Sequence, residues 1–333
     1  MKFLRWLLAP LSLLVTTWCG LALVYAPHGP SLWTMGLAGL YVVCVAVIFW
    51  RNRNPGFRLA ALVTAWTPVL LWFLLVPAPA QANWISESQV APRLEIIGDQ
   101  VTVQGIRDFR WRSKTDFDAQ WIDRTYSLAH LRTVDFFLSF WGPKRICHTF
   151  VSFGFERPDQ TMDQLAVSIE VRKQKGQSYS ALGSAFRQFS LIYIWATETD
   201  VIRVRTNFRG EQVYRYRVRL SPEMLQHIFR RYVAESQRLY EHPRWYNAVT
   251  DSCGVDILRT VWGNRVGIFP TFEQLFNGLW EQHAYDQGRL DRSVPFEKLR
   301  ERANISPAAQ QSTPENFSTV IRHNTVWLEV APP

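Results

Sequence analysis

Three long uncharged stretches at the start of the chain constrain its fold more than any other feature. They cover residues 6–26, 31–50 and 59–80, which are 21, 20 and 22 residues long. An α-helix rises about 1.5 Å per residue, so about 20 apolar residues cross the roughly 30 Å hydrocarbon core of a bilayer. The sequence therefore predicts a three-span transmembrane anchor over residues 1–80, a segment with five basic residues and no acidic residue.

The basic residues predict the orientation of this anchor. Lys2 and Arg5 precede the first stretch, and Arg51, Arg53 and Arg58 surround the connection between the second and third. Basic residues flanking a span favour the cytoplasm, so the N-terminus is expected there and everything after residue 80 on the other side. A cleaved signal peptide in place of the first span is the alternative. We favour an anchor, because the first uncharged run exceeds a usual signal core and two more spans follow.

Residues 81–333 carry charges of both signs, so they are expected to fold in water rather than in the bilayer. The whole chain has 37 basic and 28 acidic residues, of which 32 basic and all 28 acidic residues lie after residue 80, which leaves a net charge of +4 there. So small an excess argues against a nucleic-acid-binding surface.

Two of the four cysteines, Cys147 and Cys253, lie outside the spans, which is too few for a disulfide scaffold. We see no zinc-ligand spacing, P-loop or dinucleotide fingerprint, so no metal or nucleotide cofactor is predicted.

Runs of aromatic and β-branched residues predict a series of strands followed by helices. A strand pair around Gly98-Asp99-Gln100 reads as a hairpin, and Ser221-Pro222 is typical of a helix N-terminus. The predicted strands are 94–97, 101–106, 121–126, 133–140, 148–155, 165–172, 191–197 and 213–220. Helices are predicted over 222–240, from about 251, and over 272–286.

This order predicts an α+β fold with an antiparallel sheet. The domain boundaries expected are a membrane anchor over 1–80, a linker and N-terminal hairpin over 81–107, and a folded domain over 108–302. Residues 303–333 are rich in Ser, Pro, Gln and Asn, and predict a poorly packed tail.

One strand alternates cleanly between apolar and basic residues. Tyr214 and Tyr216 fall on one face, whereas Arg215, Arg217 and Arg219 fall on the other. We expect one buried face and one basic face in water. This basic face, with Arg203, Arg205 and Arg209, could meet phospholipid phosphates, or could be an ordinary solvated surface.

A thiol, an imidazole and a carboxylate form the candidate catalytic site. Cys253 follows Asp251-Ser252, which would cap a helix, and a cysteine in a first helical turn is favoured as a thiolate. His148 opens an otherwise apolar strand, and Glu170 lies inside the next one. On a sheet the two can be cross-strand neighbours, so His148 is the candidate base and Glu170 its orienting partner, with Ser168 as the alternative.

Structural roles compete with this hypothesis. A histidine in a strand is commonly a hydrogen-bonded structural residue, and Cys147 and Cys253 could form a disulfide. Strand alternation places Cys147 and His148 on opposite faces, which weakens the disulfide hypothesis without removing it.

Nine short stretches between residues 108 and 262 add a resemblance to a known family. They are 121–126 (WIDRTY), 134–137 (VDFF), 148–153 (HTFVSF), 165–170 (LAVSIE), 200–203 (DVIR), 205–207 (RTN), 213–214 (VY), 245–247 (WYN) and 250–253 (TDSC). In this order they resemble the Lnb-type N-terminal periplasmic domain of bacterial lipoprotein N-acyltransferases. That family is in turn similar to permuted papain-like enzymes of the NlpC type, in which the histidine strand precedes the cysteine helix.

The resemblance implies a bacterial inner-membrane protein whose domain lies in the periplasm. It implies that an acyl chain passes from a membrane phospholipid to Cys253 as a thioester, and then to the N-terminal amine of a lipoprotein. The chain departs from the family after the cysteine, where Gly254-Val255 stands in place of two threonines. A thiol amidase or peptidase using the same residues, and a non-catalytic membrane-anchored binding module, are the alternatives.

Overall fold

The computed structural model of the protein describes residues 2–52, 54–142, 145–248, 250, 254, 257 and 277–329. The chain forms two compact units, each with its own apolar core. Unit 1 comprises Met1–Trp84, Val171–Ser190 and Pro243–Ala248, and unit 2 comprises Ile85–Glu170, Leu191–His242 and Val249–Pro333.

Unit 1 contains the three predicted apolar helices, which are confirmed. They are α1 (Lys2–Tyr25), α2 (Leu32–Arg51) and α3 (Pro55–Leu75), each long and apolar enough to cross a membrane. Ser31 caps α2 by accepting a hydrogen bond from the Thr34 amide at 3.1 Å. Between α1 and α3, Nε1 of Trp66 donates to Oγ1 of Thr16 at 3.1 Å, so a buried polar pair is satisfied inside the bundle.

Unit 2 is built around a mixed, mostly antiparallel sheet. The described strands are β1 (Arg93–Ile97), β2 (Gln100–Arg107), β3 (Arg110–Trp111), β4 (Phe117–Asp118), β5 (Trp121–Ser127), β6 (Leu131–Phe140), β7 (His148–Glu156), β8 (Met162–Arg172), β9 (Ser190–Thr197), β10 (Gln212–Arg219) and β11 (Trp327–Glu329). The large sheet has the order β1-β2-β9-β8-β7-β6-β10-β11, with β5 also paired to β2. The pairs β2–β9 and β10–β11 are parallel, and β3 and β4 form a separate two-stranded sheet.

Eight of these eleven described strands lie where the sequence predicts them, whereas the short strands β3, β4 and β11 were not predicted. In the first hairpin Ile97 pairs with Gln100, and Gly98 in the turn has φ +61, a value that favours glycine. The remaining helices are α4 (Ala181–Ala185), α5 (Glu198–Val201), α6 (Pro222–Glu241), α7 (Trp280–Asp286), α8 (Phe296–Ala303), α9 (Ser306–Gln310) and α10 (Phe317–Val320). The prediction of α6 is confirmed, including its cap, because Oγ of Ser221 accepts from the Met224 amide at 3.2 Å.

Helix α6 packs on one face of the sheet. Phe229 on this helix contacts Phe153 and Trp195 edge to face, with ring centroids 4.9 and 5.7 Å apart. Nε1 of Trp195 donates to Oγ of Ser236 at 2.9 Å, so the indole is buried without leaving its donor unpaired.

The C-terminal residues differ from the predicted poorly packed tail. Phe317 and Ala309 are fully buried, and with Ile305 and Ile321 they belong to the core cluster that contains Phe137 of the sheet. Composition suggested a solvated segment, but a few apolar residues at the correct spacing are enough to bury α9 and α10.

The basic face of β10 is also different from the prediction. The Arg215 side chain is fully buried, and its Nη1 lies 2.8 Å from Oδ1 of Asp135 on β6. Arg217 and Arg322 bind the same carboxylate at 2.6 and 2.9 Å, while Arg219 pairs with Glu329. The prediction of a basic face in water is therefore wrong for Arg215 and Arg217, because a buried acid on the neighbouring strand neutralises them, whereas the Arg219 side chain is exposed.

Two predicted helices lie partly or mostly outside the described residues. Gly254 and Ile257 are helical and buried, whereas Cys253 and the rest of the helix predicted from about 251 are not described. Within the predicted helix 272–286, a 3₁₀ turn at Asn277–Leu279 leads into α7. A permuted papain-like topology stays a prediction.

Candidate functional site around His148

The sheet brings the predicted base and its predicted partner together. His148 begins β7 and pairs with Ser139 of β6 on one side. On the other side Phe150 pairs with Ser168 of β8, in antiparallel register. Because side chains two residues apart point to the same face, His148 and Phe150 share a face with Ser168 and Glu170.

Ser168 and Glu170 both contact the imidazole through Nε2. Nε2 of His148 lies 2.7 Å from Oγ of Ser168 and 3.1 Å from Oε1 of Glu170. The Ser168 hydroxyl donates its hydrogen to Glu170 at 2.7 Å, so it accepts a hydrogen bond from the imidazole. This arrangement puts a proton on Nε2, and Nδ1 is then the basic nitrogen of the neutral ring.

Arg205 is a further member of the site that sequence reasoning assigned differently. Its Nη2 lies 2.7 Å from Oε1 of Glu170, and only 6% of its side chain is exposed. Nη1 donates to the Val201 carbonyl at 2.6 Å, which fixes the guanidinium in place. The 205–207 stretch that resembles the family is the sequence signal for this role, whereas the basic pattern alone predicts that Arg205 could meet phosphates.

The backbone at Arg205 is unusual. Val204–Phe208 forms a single π-helical turn, closed by the hydrogen bond from the Arg209 amide to the Val204 carbonyl at 2.9 Å. Such turns are rare and recur at functional sites, where they reposition a side chain. Here the turn carries the guanidinium that contacts Glu170.

Glu211 and Ser139 extend the network below the arginine. Oε2 of Glu211 lies 3.8 Å from Nε of Arg205 and accepts a hydrogen bond from the Ser139 hydroxyl. Ser139 is the cross-strand neighbour of His148, so the network returns to the strand pair from which it starts. Ser139, Ser168 and Thr206 are fully buried, which excludes water from much of this network.

The environment of Glu170 holds it as a carboxylate. Burial by itself raises the pKa of Glu170, but the charge and hydrogen bond of His148 and the charge of Arg205 more than offset that effect. The resulting pKa lies well below the ordinary value for a glutamate. An ionised Glu170 accepts hydrogen bonds from three neighbours and stabilises positive charge on the imidazole.

The third predicted site residue, Cys253, lies outside the described residues, but its neighbour Gly254 does not. A Cβ on Gly254 would lie 3.3 Å from Cζ2 of Trp280 and 3.5 Å from Cβ of Asn277. Asn277 in turn accepts from the Cys147 amide at 3.0 Å and donates to the Cys147 carbonyl at 2.7 Å. Asn277 therefore lies beside Gly254 and also hydrogen-bonds to Cys147, the residue that precedes His148.

The described residues of the site include a histidine with a fixed orientation. Within the described ranges, no group of three or more His, Cys, Asp or Glu side chains is arranged to hold a metal ion. His148, Ser168, Glu170 and Arg205 together form an imidazole with a fixed orientation and an ionised partner, which is the arrangement that a general base requires.

Comparison with known proteins adds a family assignment for this part of the chain. Residues 117–275 match the family model described as the Lnb N-terminal periplasmic domain. No curated protein and no solved structure matches the chain. The matched range spans the strands that carry His148 and Glu170, the turn that carries Arg205, and Cys253. The chain therefore combines three apolar helices long enough to cross a membrane with a region, residues 117–275, that is similar to the Lnb N-terminal periplasmic domain family.

Proposed function

We propose that the protein is a thiol-dependent acyltransferase of the bacterial inner membrane. Cys253 is the nucleophile, His148 the general base, and Glu170 the residue that orients the imidazole. The observation that carries this proposal is the contact of His148 Nε2 with both Ser168 and Glu170, because it leaves Nδ1 as the base. The position of Gly254 supports the pairing of Cys253 with His148. Gly254 is next to Cys253 in the chain and lies beside Asn277, which accepts a hydrogen bond from the amide of Cys147, the residue before His148.

In the first half of the reaction, Nδ1 of His148 accepts the proton of the Cys253 thiol. The thiolate attacks the ester carbonyl of a phospholipid, and a carbon–sulfur bond forms. When the tetrahedral intermediate collapses, the ester carbon–oxygen bond breaks and the departing alkoxide takes the proton from the imidazolium. The products are a lysophospholipid and an acyl thioester on Cys253.

In the second half, the N-terminal amine of a lipid-modified cysteine attacks the thioester. The amine loses a proton to His148, an amide bond forms, and the carbon–sulfur bond breaks. The proton then returns to the sulfur, which restores the thiol. Glu170 remains ionised throughout and stabilises the imidazolium in both halves.

The membrane anchor supports a lipid substrate. The three apolar helices belong to the same chain as the domain, so they would tether it to the bilayer that contains both a phospholipid and a lipoprotein N-terminus. Tethering raises the effective concentration of such substrates without any further contact. The Lnb-type resemblance supports the same donor and acceptor classes.

The thioester is the intermediate to measure first. The protein purified from membranes is examined by intact-mass spectrometry before and after neutral hydroxylamine. We expect a fatty-acyl mass adduct that hydroxylamine removes and that peptide mapping places on Cys253. Cys253→Ala should lose this adduct and all transfer of acyl chains to a lipoprotein peptide.

Cys44→Ala is the matched control, since Cys44 is an exposed thiol within α2. It should retain the adduct and the activity. An adduct on Cys44 alone, or wild-type transfer activity in Cys253→Ala, would contradict the thiol mechanism. Release of free fatty acid, or cleavage of a cell-wall peptide, without amine acylation would identify a hydrolase on the same site. A disulfide between Cys147 and Cys253 in the isolated protein would support a non-catalytic module.

A further inference from the structure

Unit 1 contains a short segment from between two strands of the sheet. Residues 173–189 connect β8 to β9, and they belong to the same compact unit as the three apolar helices. Residues 176–186 carry no charge, whereas Lys173, Lys175 and Arg187 flank them. An uncharged run between basic residues is typical of a segment that lies at a membrane surface.

Phe186 packs directly against the apolar helices. It is 6% exposed, and its ring centroid lies 5.8 Å from that of Trp18, 6.2 Å from that of Tyr25 and 6.3 Å from that of Phe73. Trp18 lies seven residues before Tyr25, the end of α1, which is about 10 Å along a helix at 1.5 Å per residue. Phe186 therefore contacts α1 both at its end and two turns before that end, and also contacts α3 near its end.

Arg187 fixes the segment to the end of α3. Its Nη1 donates to the carbonyls of Phe73 and of Leu74, the latter at 3.0 Å. The last carbonyls of a helix have no partner within the helix, and leaving them unpaired beside lipid is costly. The guanidinium also lies over the Phe73 ring, 4.7 Å from its centroid.

The short helix α4 lies against the end of α1. A Cβ on Gly183 would lie 3.1 Å from Cδ1 of Tyr25, so the α4 backbone approaches that ring closely. Gln177 reaches the connection after α1 through a hydrogen bond from Nε2 to the His28 carbonyl at 3.3 Å. The segment is thus held at two points of the bundle, the ends of α1 and α3.

Two large side chains of the segment are exposed, although the Tyr179 ring also stacks on that of Phe189, with centroids 5.9 Å apart. Tyr179 and Leu182 are 55% and 47% exposed. We propose that residues 179–187 are a membrane-interface segment, in which Tyr179 and Leu182 insert among the acyl chains of the periplasmic leaflet. Phospholipid is the occupant because the segment is continuous with the ends of helices that are themselves surrounded by lipid. Exposed aromatic and apolar side chains with flanking basic residues are the usual features of such a surface.

Photo-crosslinking in the full-length protein tests the proposal. A p-benzoylphenylalanine residue is introduced in place of Tyr179 or Leu182, and the protein is reconstituted in phospholipid nanodiscs and irradiated. We expect about ten times the lipid-adduct yield of the same probe at Lys114, because only a side chain among acyl chains meets abundant lipid C–H bonds. Lys114 is an exposed residue between β3 and β4, and Leu71, exposed on α3, is the lipid-facing control.

The adduct is a carbon–carbon bond, so hydroxylamine does not remove it, in contrast to a thioester. The measurement needs no enzymatic activity and thus tests this segment independently of the proposed reaction. Yields at Tyr179 and Leu182 no higher than at Lys114, with a clear adduct at Leu71, would overturn the proposal. Crosslinking to a second copy of the chain in place of lipid would do the same.

Discussion

Oε1 of Glu170 lies 3.1 Å from Nε2 of His148 on the neighbouring strand, and the same oxygen accepts from Arg205 at 2.7 Å. One carboxylate oxygen thus joins an imidazole, a guanidinium and the Ser168 hydroxyl. Ion pairs of this kind orient a base and keep its partner ionised. Substitutions of Glu170 and Arg205 should therefore affect the same imidazole.

Glu170→Gln should slow the chemistry while retaining the fold. The amide is isosteric but carries no charge, so it stabilises the imidazolium less well. We expect acyl transfer to fall by about 10²–10⁴-fold, the range typical of altering a triad partner. The rate of Cys253 alkylation by iodoacetamide should fall as well, since fewer thiolate–imidazolium pairs form. Glu156→Gln, at the other end of β7 beside Arg132, should change neither rate.

Arg205→Lys should act through Glu170. Lysine retains the charge but lacks the planar fork that contacts both Glu170 and the Val201 carbonyl. In a double-mutant cycle with Glu170→Gln, the two effects on kcat should be non-additive by about 0.5–3 kcal/mol. Strictly additive losses would show that Arg205 does not act through the carboxylate. The matched control is Arg238→Lys on α6, whose side chain is 56% exposed and pairs with Glu235.

The stabilising effect of Glu170 should depend on pH in a defined direction. The pKa of Glu170 is lower in the folded protein than in the unfolded chain, where it is about 4.3. A depressed carboxylate pKa stabilises the folded state above the unfolded pKa, and this stabilisation is lost as pH falls toward the folded pKa. The difference in Tm between wild type and Glu170→Gln should be constant near neutral pH and shrink below about pH 4.

Scanning fluorimetry of the reconstituted protein would measure that difference. Glu95→Gln, an exposed substitution on β1, provides the control series. A Tm difference that grows as pH falls would contradict the assigned direction.

Asn277→Ala should disturb the approach to His148. The Asn277 side chain is buried and satisfies both the amide and the carbonyl of Cys147. Leaving those two backbone groups unpaired should cost about 1–3 kcal/mol each in unfolding free energy. We expect a lower Tm in thermal unfolding and reduced transfer activity. Gln282→Ala, which removes an exposed pair with Asp286, should be close to neutral.

Much of the local structure follows from the sequence alone. The three uncharged stretches are helices, the hairpin turns at Gly98, and α6 begins at the cap that Ser221-Pro222 predicts. Period-two alternation places His148 and Phe150 on one face, and similarly Ser168 and Glu170. These features depend on neighbours within a few residues, so backbone sterics, side-chain burial and capping determine them.

Only the tertiary structure shows which side chains that are far apart in the sequence contact each other. Period-two alternation correctly separates Arg215 from Tyr214, but only the pairing of β10 with β6 shows that Asp135 neutralises the arginine. Likewise the contact of Arg205 with Glu170 joins a π-helical turn to β8, 35 residues apart in the chain. Burial of Phe317 in a polar C-terminal segment depends on the sheet that it covers. Coulombic and packing energies depend on distance in space, and a sequence pattern reports distance only along the chain.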